Sequence, residues 1–169
     1  MKDMQAIRDE HRETRESMER YILVALFLIE QRWSYIVSRE FREDGITAKQ
    51  WLFMVILGNV FERPPSMQEM ADAMSTTHQN VKQLAVRLED KGLIRIKPDP
   101  QNRRMLRLEP AEGFHRFWAG RDKRDAEAVK SLFDSLDDEE VKSLFNIFAK
   151  LEEASKERYL EYCGRRCSK

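Results

Sequence analysis

Between Ile46 and Gly113 the apolar residues change period, from the roughly 3.6-residue spacing of helices to the two-residue spacing of strands. No other feature constrains the fold as much. Three short helices are predicted first, over Thr47–Phe61, Ser66–Met74 and Thr77–Lys91. A ribbon follows, with strands Leu93–Lys97 and Met105–Leu108 around a basic, proline-containing tip at Pro98–Arg104. The punctuation agrees with this order. Thr47-x-x-Gln50 and Ser66-x-x-Glu69 are capping boxes, which satisfy free N–H groups in a first helical turn. Pro64-Pro65 cannot continue a helix. Ser75-Thr76-Thr77 offers N-cap side chains, and Gly92 suits the left-handed position that closes a helix. Met67, Met70, Ala71 and Met74 form one inward stripe, where methionines read as core rather than as a cofactor box. Val81, Leu84, Ala85 and Leu88 form the next. Ile94 and Ile96 alternate with Arg95 and Lys97, and Leu106 and Leu108 with Arg107. Two strands alone are marginal, so the ribbon must rest on the helices.

Charge is distributed unevenly over the same segment. The 30 Lys+Arg of the chain cancel its 30 Asp+Glu. From His78 to Arg107, however, eight bases (Lys82, Arg87, Lys91, Arg95, Lys97, Arg103, Arg104, Arg107) face three acids (Glu89, Asp90, Asp99), a local +5 that leaves −5 for the remainder. A charge run by itself is a solvated face. Its coincidence with the third helix and the ribbon points instead to phosphates, which a basic patch attracts by releasing counterions. Helix-turn-helix with a hairpin beside it is a way to place one helix in a DNA major groove. The outward face of Thr77–Lys91 carries long polar side chains suited to base edges and phosphates. Gln79, Asn80 and Gln83 are the candidates for base readout, and Thr76, Thr77, Lys82 and Arg87 for phosphate contacts. His78, Arg95, Lys97, Asn102, Arg103 and Arg104 complete the candidate DNA-binding surface. A winged helix that binds protein instead of DNA is the alternative. It should expose aromatic or aliphatic residues on this face, where only Val86 intrudes.

With 36% charged residues, six Gly and five Pro, the rest of the chain favours long exposed helices. One is predicted over Arg8–Phe41, on a stripe of Tyr21, Val24, Ala25 and Leu28 widened by Ile22, Leu26, Ile29 and Trp33. The chain is helical again from Pro110 to Leu136, and Asp137-x-x-Glu140 caps a last helix striped by Val141, Leu144, Phe145, Phe148 and Leu151. These apolar faces exceed what a small winged helix can cover, which predicts an interdigitated homodimer. The expected fold is mostly α with a small two- or three-stranded β wing. Residues 1–45 form an N-terminal dimerisation helix, 46–109 a winged helix-turn-helix, and 110–169 C-terminal dimerisation helices. The apolar run Tyr21–Ile29 is far shorter than the ~20 residues that span a bilayer. Its flanks, where acids and bases alternate through Met1–Arg20, do not read as a signal peptide, so a soluble cytoplasmic protein is expected. His11, His78 and His115 lie far apart, and no cluster has metal-ligand spacing. Without a phosphate loop or a nucleophile elbow, neither a cofactor nor an enzymatic activity is expected. Cys163 and Cys167 read as reduced thiols near the C-terminus, with a redox role for these arginine-flanked thiols as the alternative.

Residues 46–113 resemble the multiple antibiotic resistance regulator (MarR) family of dimeric winged-helix repressors. The likeness runs through Ile46-Thr47-x-x-Gln50-Trp51, Met70-Ala71-Asp72-Ala73-Met74 and Gln79-Asn80-Val81. It continues in Arg87-Leu88-Glu89-Asp90-Lys91-Gly92-Leu93-Ile94, Asp99-Pro100-Gln101-Asn102-Arg103-Arg104 and Glu112-Gly113. The resemblance implies a homodimer on an inverted repeat, with Thr77–Lys91 in the major groove and a wing arginine, here Arg104, in the minor groove. It also implies a small aromatic effector between the DNA-binding and dimerisation regions, for which Trp33, Trp51, Phe114, His115 and Trp118 are the candidate lining. Two departures bear on the wing. Val86 and Asn102 stand where the family commonly carries aspartates that can hold the wing arginine. Unless another group supplies that restraint, the wing is expected to be loose. The Leu-Thr that normally opens the next helix is Leu108-Glu109-Pro110, with Pro110 suited to a first helical position.

Overall fold

A computed structural model describes residue 7 and residues 14–166, without the side chains of residues 122–124 and 165–166. Residues 8–13 of the expected first helix, with His11, and Cys167 lie outside the described residues. In chain order the described elements are α1 (Arg15–Glu40), α2 (Ala48–Asn59), α3 (Met67–Ala73), α4 (His78–Asp90), β1 (Ile94–Pro98), β2 (Leu106–Pro110), α5 (Glu112–Ala119), α6 (Asp122–Ser131) and α7 (Asp138–Arg166). They divide between two compact units, residues 1–62 and 63–169.

In the first unit, Thr14 caps α1 by accepting a hydrogen bond from the Ser17 amide at 3.2 Å. That cap falls inside the expected helix, six residues after its predicted start at Arg8. The chain leaves α1 at Phe41, reverses through Gly45 with φ at +64°, and returns the Ile46 amide to the Phe41 carbonyl at 3.1 Å. The predicted Thr47–Gln50 box is present: the Thr47 amide donates to Gln50 Oε1 at 3.0 Å, and the Gln50 amide donates to Thr47 Oγ1 at 3.3 Å. The Ala48 amide donates to Ser38 Oγ at 3.1 Å and so pins the start of α2 to α1. Phe41, Ile46, Phe53, Met54 and Leu57 are buried. No residue of α1 is.

The second unit holds the helix-turn-helix and the wing. Ser66 and Glu69 form the second predicted box: the Ser66 amide donates to Glu69 Oε2 at 2.7 Å, and the Glu69 amide donates to Ser66 Oγ at 3.2 Å. Met67, Met70 and Ala71 of α3 meet Val81, Ala85 and Leu88 of α4 in a core completed by Leu93, Ile94, Leu108, Ala111 and Phe114. The turn between the helices passes through Ser75 with φ at +49°, a left-handed conformation that costs a residue with a Cβ about 1–2 kcal/mol.

The strands β1 and β2 pair antiparallel, with Ile94 opposite Pro110, Ile96 opposite Leu108 and Pro98 opposite Leu106. A third strand shrinks to a bridge between Ser66 and Arg107, beside which the Leu108 amide donates to the Pro65 carbonyl at 2.9 Å. Pro110 is not the first residue of a helix as expected. It ends β2 at the sheet's edge, where its missing N–H breaks no ladder. The Ala111 amide then bonds to the Leu93 carbonyl at 3.0 Å, so α5 opens at Glu112. Nor is Pro110–Leu136 one helix. α5 closes at Gly120, α6 closes at Leu132, and α7 is capped separately by Asp137, whose Oδ1 accepts from the Glu140 amide at 2.9 Å. No described helix is long and apolar enough to cross a membrane.

Candidate nucleic-acid interface

The face of α4 opposite the core is polar and open. Val81, Ala85 and Leu88 point inward, while His78, Gln79, Asn80, Lys82, Gln83, Val86 and Arg87 are exposed. The N-terminus of the helix is built by hydroxyls. Thr77 Oγ1 accepts from the Asn80 amide at 3.2 Å, and Thr76 Oγ1 accepts from Asn80 Nδ2 at 3.1 Å. Asn80 is thereby oriented before any partner arrives, while Gln79, Lys82 and Gln83 project without a described bond to their side chains. Val86, 42% exposed, is the one large apolar side chain on this face.

At the wing the predicted residues separate into two groups. Arg95, Arg103 and Arg104 are exposed and form no ion pair among the described residues. Lys97 instead pairs with Glu109 on the neighbouring strand at 2.6 Å. Asn102 is exposed but bonded within the tip: its Oδ1 accepts from the Arg104 amide at 3.2 Å, and its carbonyl accepts from the Met105 amide at 2.8 Å. It shapes the tip that presents Arg103 and Arg104.

The network that joins Asp99, Arg107 and Glu69 was not read from the sequence, where they stand as members of the basic segment and of a capping box. Asp99, buried, accepts from the amides of Gln101 at 2.8 Å and Asn102 at 3.0 Å through one oxygen, and from Arg107 Nε at 2.6 Å through the other. Arg107 also reaches Glu69 Oε2 at 2.8 Å and the Pro64 carbonyl at 3.3 Å. The Arg107 guanidinium and the two amides hold the Asp99 carboxyl below its ordinary range. The Ser66 amide, and after it Arg63, lower Glu69 to about 2. An aspartate two and three residues before free amides is a recognised turn device. That signal was legible, but Asp99 stood in the sequence as an acid offsetting the basic cluster and as part of the MarR-like tip, not as a partner of Arg107. The Arg107–Asp99 pair thus fixes the turn at the wing root, while Arg103 and Arg104 themselves form no ion pair among the described residues.

The candidate effector residues fall in both units. Trp33 and Trp51 belong to the first, where the Trp51 and Phe41 rings lie 6.4 Å apart. Phe114, His115 and Trp118 belong to the second, along α5. There Phe114 meets His115 at 5.6 Å and Trp118 at 6.2 Å, both edge to face, and is itself buried. Cys163 is exposed on α7.

Residues 44–105 match the sequence model of the MarR family. No curated protein sequence matches the chain significantly. Solved structures do. A MarR protein from Peptoclostridium difficile is 16% identical, with a TM-score of 0.74 over 83% of this chain and 90% of that one. A MarR transcriptional regulator from Methanosarcina mazei is 19% identical, with a TM-score of 0.73 over 80% of this chain and 96% of that one. BpsR from Bordetella bronchiseptica, whose DNA binding is regulated by 6-hydroxynicotinic acid, is 18% identical, with a TM-score of 0.65 over 76% and 90%.

Proposed function

We propose, from the premise that this chain is a transcriptional regulator with a MarR-family winged helix, that it acts as a homodimeric repressor on a pseudo-palindromic operator. The observation that carries this reading is the exposed polar face of α4 beside a wing whose tip presents two arginines without an ion pair among the described residues. In each half-site α4 lies in the major groove. Gln79, Asn80 and Gln83 address base edges, while Thr76, Thr77, Lys82 and Arg87 address phosphates. Arg104 enters the adjacent minor groove. Two-fold symmetry sets the half-sites roughly 10 base pairs apart, centre to centre. The contrary reading, a protein-binding winged helix, has only Val86 in its favour on this face.

The chain is further proposed to respond to a small aromatic effector, a reading supported by the regulation of BpsR and by the aromatic side chains of α5. Linkage requires that an effector which weakens DNA binding must itself bind more weakly to the DNA complex. No enzymatic activity is assigned.

Selection of bound sequences from genomic fragments tests the central claim. A two-fold symmetric motif is expected. Gln79→Ala should relax one position of that motif, whereas Lys82→Ala should weaken all sequences alike and lower the salt slope by about one unit. Recovery of no symmetric motif would refute the operator model, and an unchanged motif with Gln79→Ala would refute that readout.

A further inference from the structure

Arg107 belongs by sequence to the basic cluster, yet its side chain is only 20% exposed and is committed within the protein. We propose that Arg107 is a positioning residue for the wing: it does not touch DNA, and instead fixes where Arg103 and Arg104 are presented relative to α4. This inference rests on the DNA-binding reading above.

The geometry forms a continuous relay. From β2, the guanidinium spans the Pro64 carbonyl before α3, Glu69 in the first turn of α3, and Asp99 at the wing root. Asp99 passes the restraint to the amides of Gln101 and Asn102, and Asn102 passes it to the amide of Arg104. Glu69 meanwhile caps α3 through Ser66 and pairs with Arg63. One planar cation thus ties the first helix of the helix-turn-helix to the tip of the hairpin. A lysine is a point charge without the fork, and it cannot hold two carboxylates and a carbonyl in the same way.

The charge balance also separates Arg107 from its neighbours. Arg63 and Arg107 are matched by Glu69 and Asp99, so the cluster carries no net charge to attract phosphate. A residue that neutralises one phosphate contributes about 0.9 to the salt slope of binding. A residue that positions the wing contributes to the discrimination made by that wing, here for the narrow minor groove of A·T-rich flanks.

The test compares wild type, Arg107→Lys, Arg107→Gln, Arg104→Ala and the double variant Arg107→Gln/Arg104→Ala. Affinity for the selected operator is measured against salt, with A·T-rich and with G·C-rich flanks. Exchange of the Gln101 and Asn102 amides is followed by NMR in the protein without DNA. Arg107→Gln is expected to leave the salt slope unchanged and to cut the flank preference by about twofold or more, as residues of one coupled network do. Arg104→Ala should then remove little further preference in that background. Faster amide exchange is expected in both Arg107 variants, and Arg107→Lys, which keeps the charge, covers a failure of Arg107→Gln to fold. A wild type without selective DNA binding would overturn the DNA-binding reading and this inference with it. A selective wild type, combined with a slope loss near 0.9, additive losses or unchanged amide exchange in the variants, would overturn this inference alone.

Discussion

Gly92 and Gly113 meet at one close approach and are glycine for different reasons. Gly92 needs its φ of +69°, while a Cβ there would meet nothing within 4 Å. Gly113 has no such dihedral, but a Cβ on it would lie 2.4 Å from the Gly92 carbonyl oxygen. Gly92→Ala should therefore cost about 1–2 kcal/mol through the backbone conformation alone. Gly113→Ala must push backbone apart between the end of α4 and the start of α5, and overpacking of this kind costs about 1–3 kcal/mol or more. Thermal unfolding should show the larger loss for Gly113→Ala; equal or reversed losses would mean that this approach relaxes easily. Gly92 was legible because a helical period ends before it and a strand period begins after it. Gly113 was not, since its constraint comes from a residue distant in sequence. Ser75 was missed likewise, because nothing in Ser75-Thr76-Thr77 marks which residue takes the left-handed turn.

Helices and strands were read well wherever a box or a period marked them. Thr47–Gln50, Ser66–Glu69 and Asp137–Glu140 all cap as their spacing predicts. Pro110 was misplaced because its fixed φ suits both a first helical residue and an edge of sheet, and only pairing opposite Ile94 decides between them. The helix-to-wing connection through Glu69 was hidden for a related reason: capping α3 accounts for Glu69 fully without Arg107. This connection carries a pH signature. Glu69 is lowered from 4.5 to about 2, so its contribution to stability is complete above pH 4.5 and is lost as pH falls towards 2. Asp99, lowered as well, acts in the same direction as pH falls. Urea unfolding followed over that window should show Glu69→Gln less stable than wild type at neutral pH and flatter in its acid dependence. Parallel curves for the two proteins would exclude Glu69 as a source of the acid loss.

Across the molecule, the long helices leave much apolar surface uncovered within one chain. Phe27 of α1 is 65% exposed and Phe145 of α7 is 72% exposed, with Leu23, Ile147, Phe148 and Leu160 also open. Patches of this size mark interaction surfaces. Light scattering at micromolar concentration should give the mass of a dimer, and Phe145→Glu should shift the protein towards monomer or reduce its solubility. A monomeric wild type would exclude the homodimer. Phe145 and Phe148 belong to a stripe the sequence made legible, whereas Leu23, Phe27, Ile147 and Leu160 lie outside the stripes read there. The sequence did not make the pairing of these faces legible, because period identifies the face a helix must cover and says nothing about which surface covers it.

The neutral ion-pair cluster at the wing root also bears on how ionic strength acts. Salt weakens every contact between exposed arginines and phosphate, on operator and on random DNA alike. It reaches the partly buried Arg107–Asp99 pair much less, since low accessibility limits screening. On the proposed operator reading, the surface of α4 and the wing then keeps its shape while the general grip loosens, and added salt is expected to remove misplaced protein from DNA before it removes correctly placed protein. The ratio of operator affinity to random-sequence affinity should hold or rise between about 50 and 200 mM salt, even as both affinities fall. A ratio that fell over this range would mean that the wing loses its form together with its charge contacts.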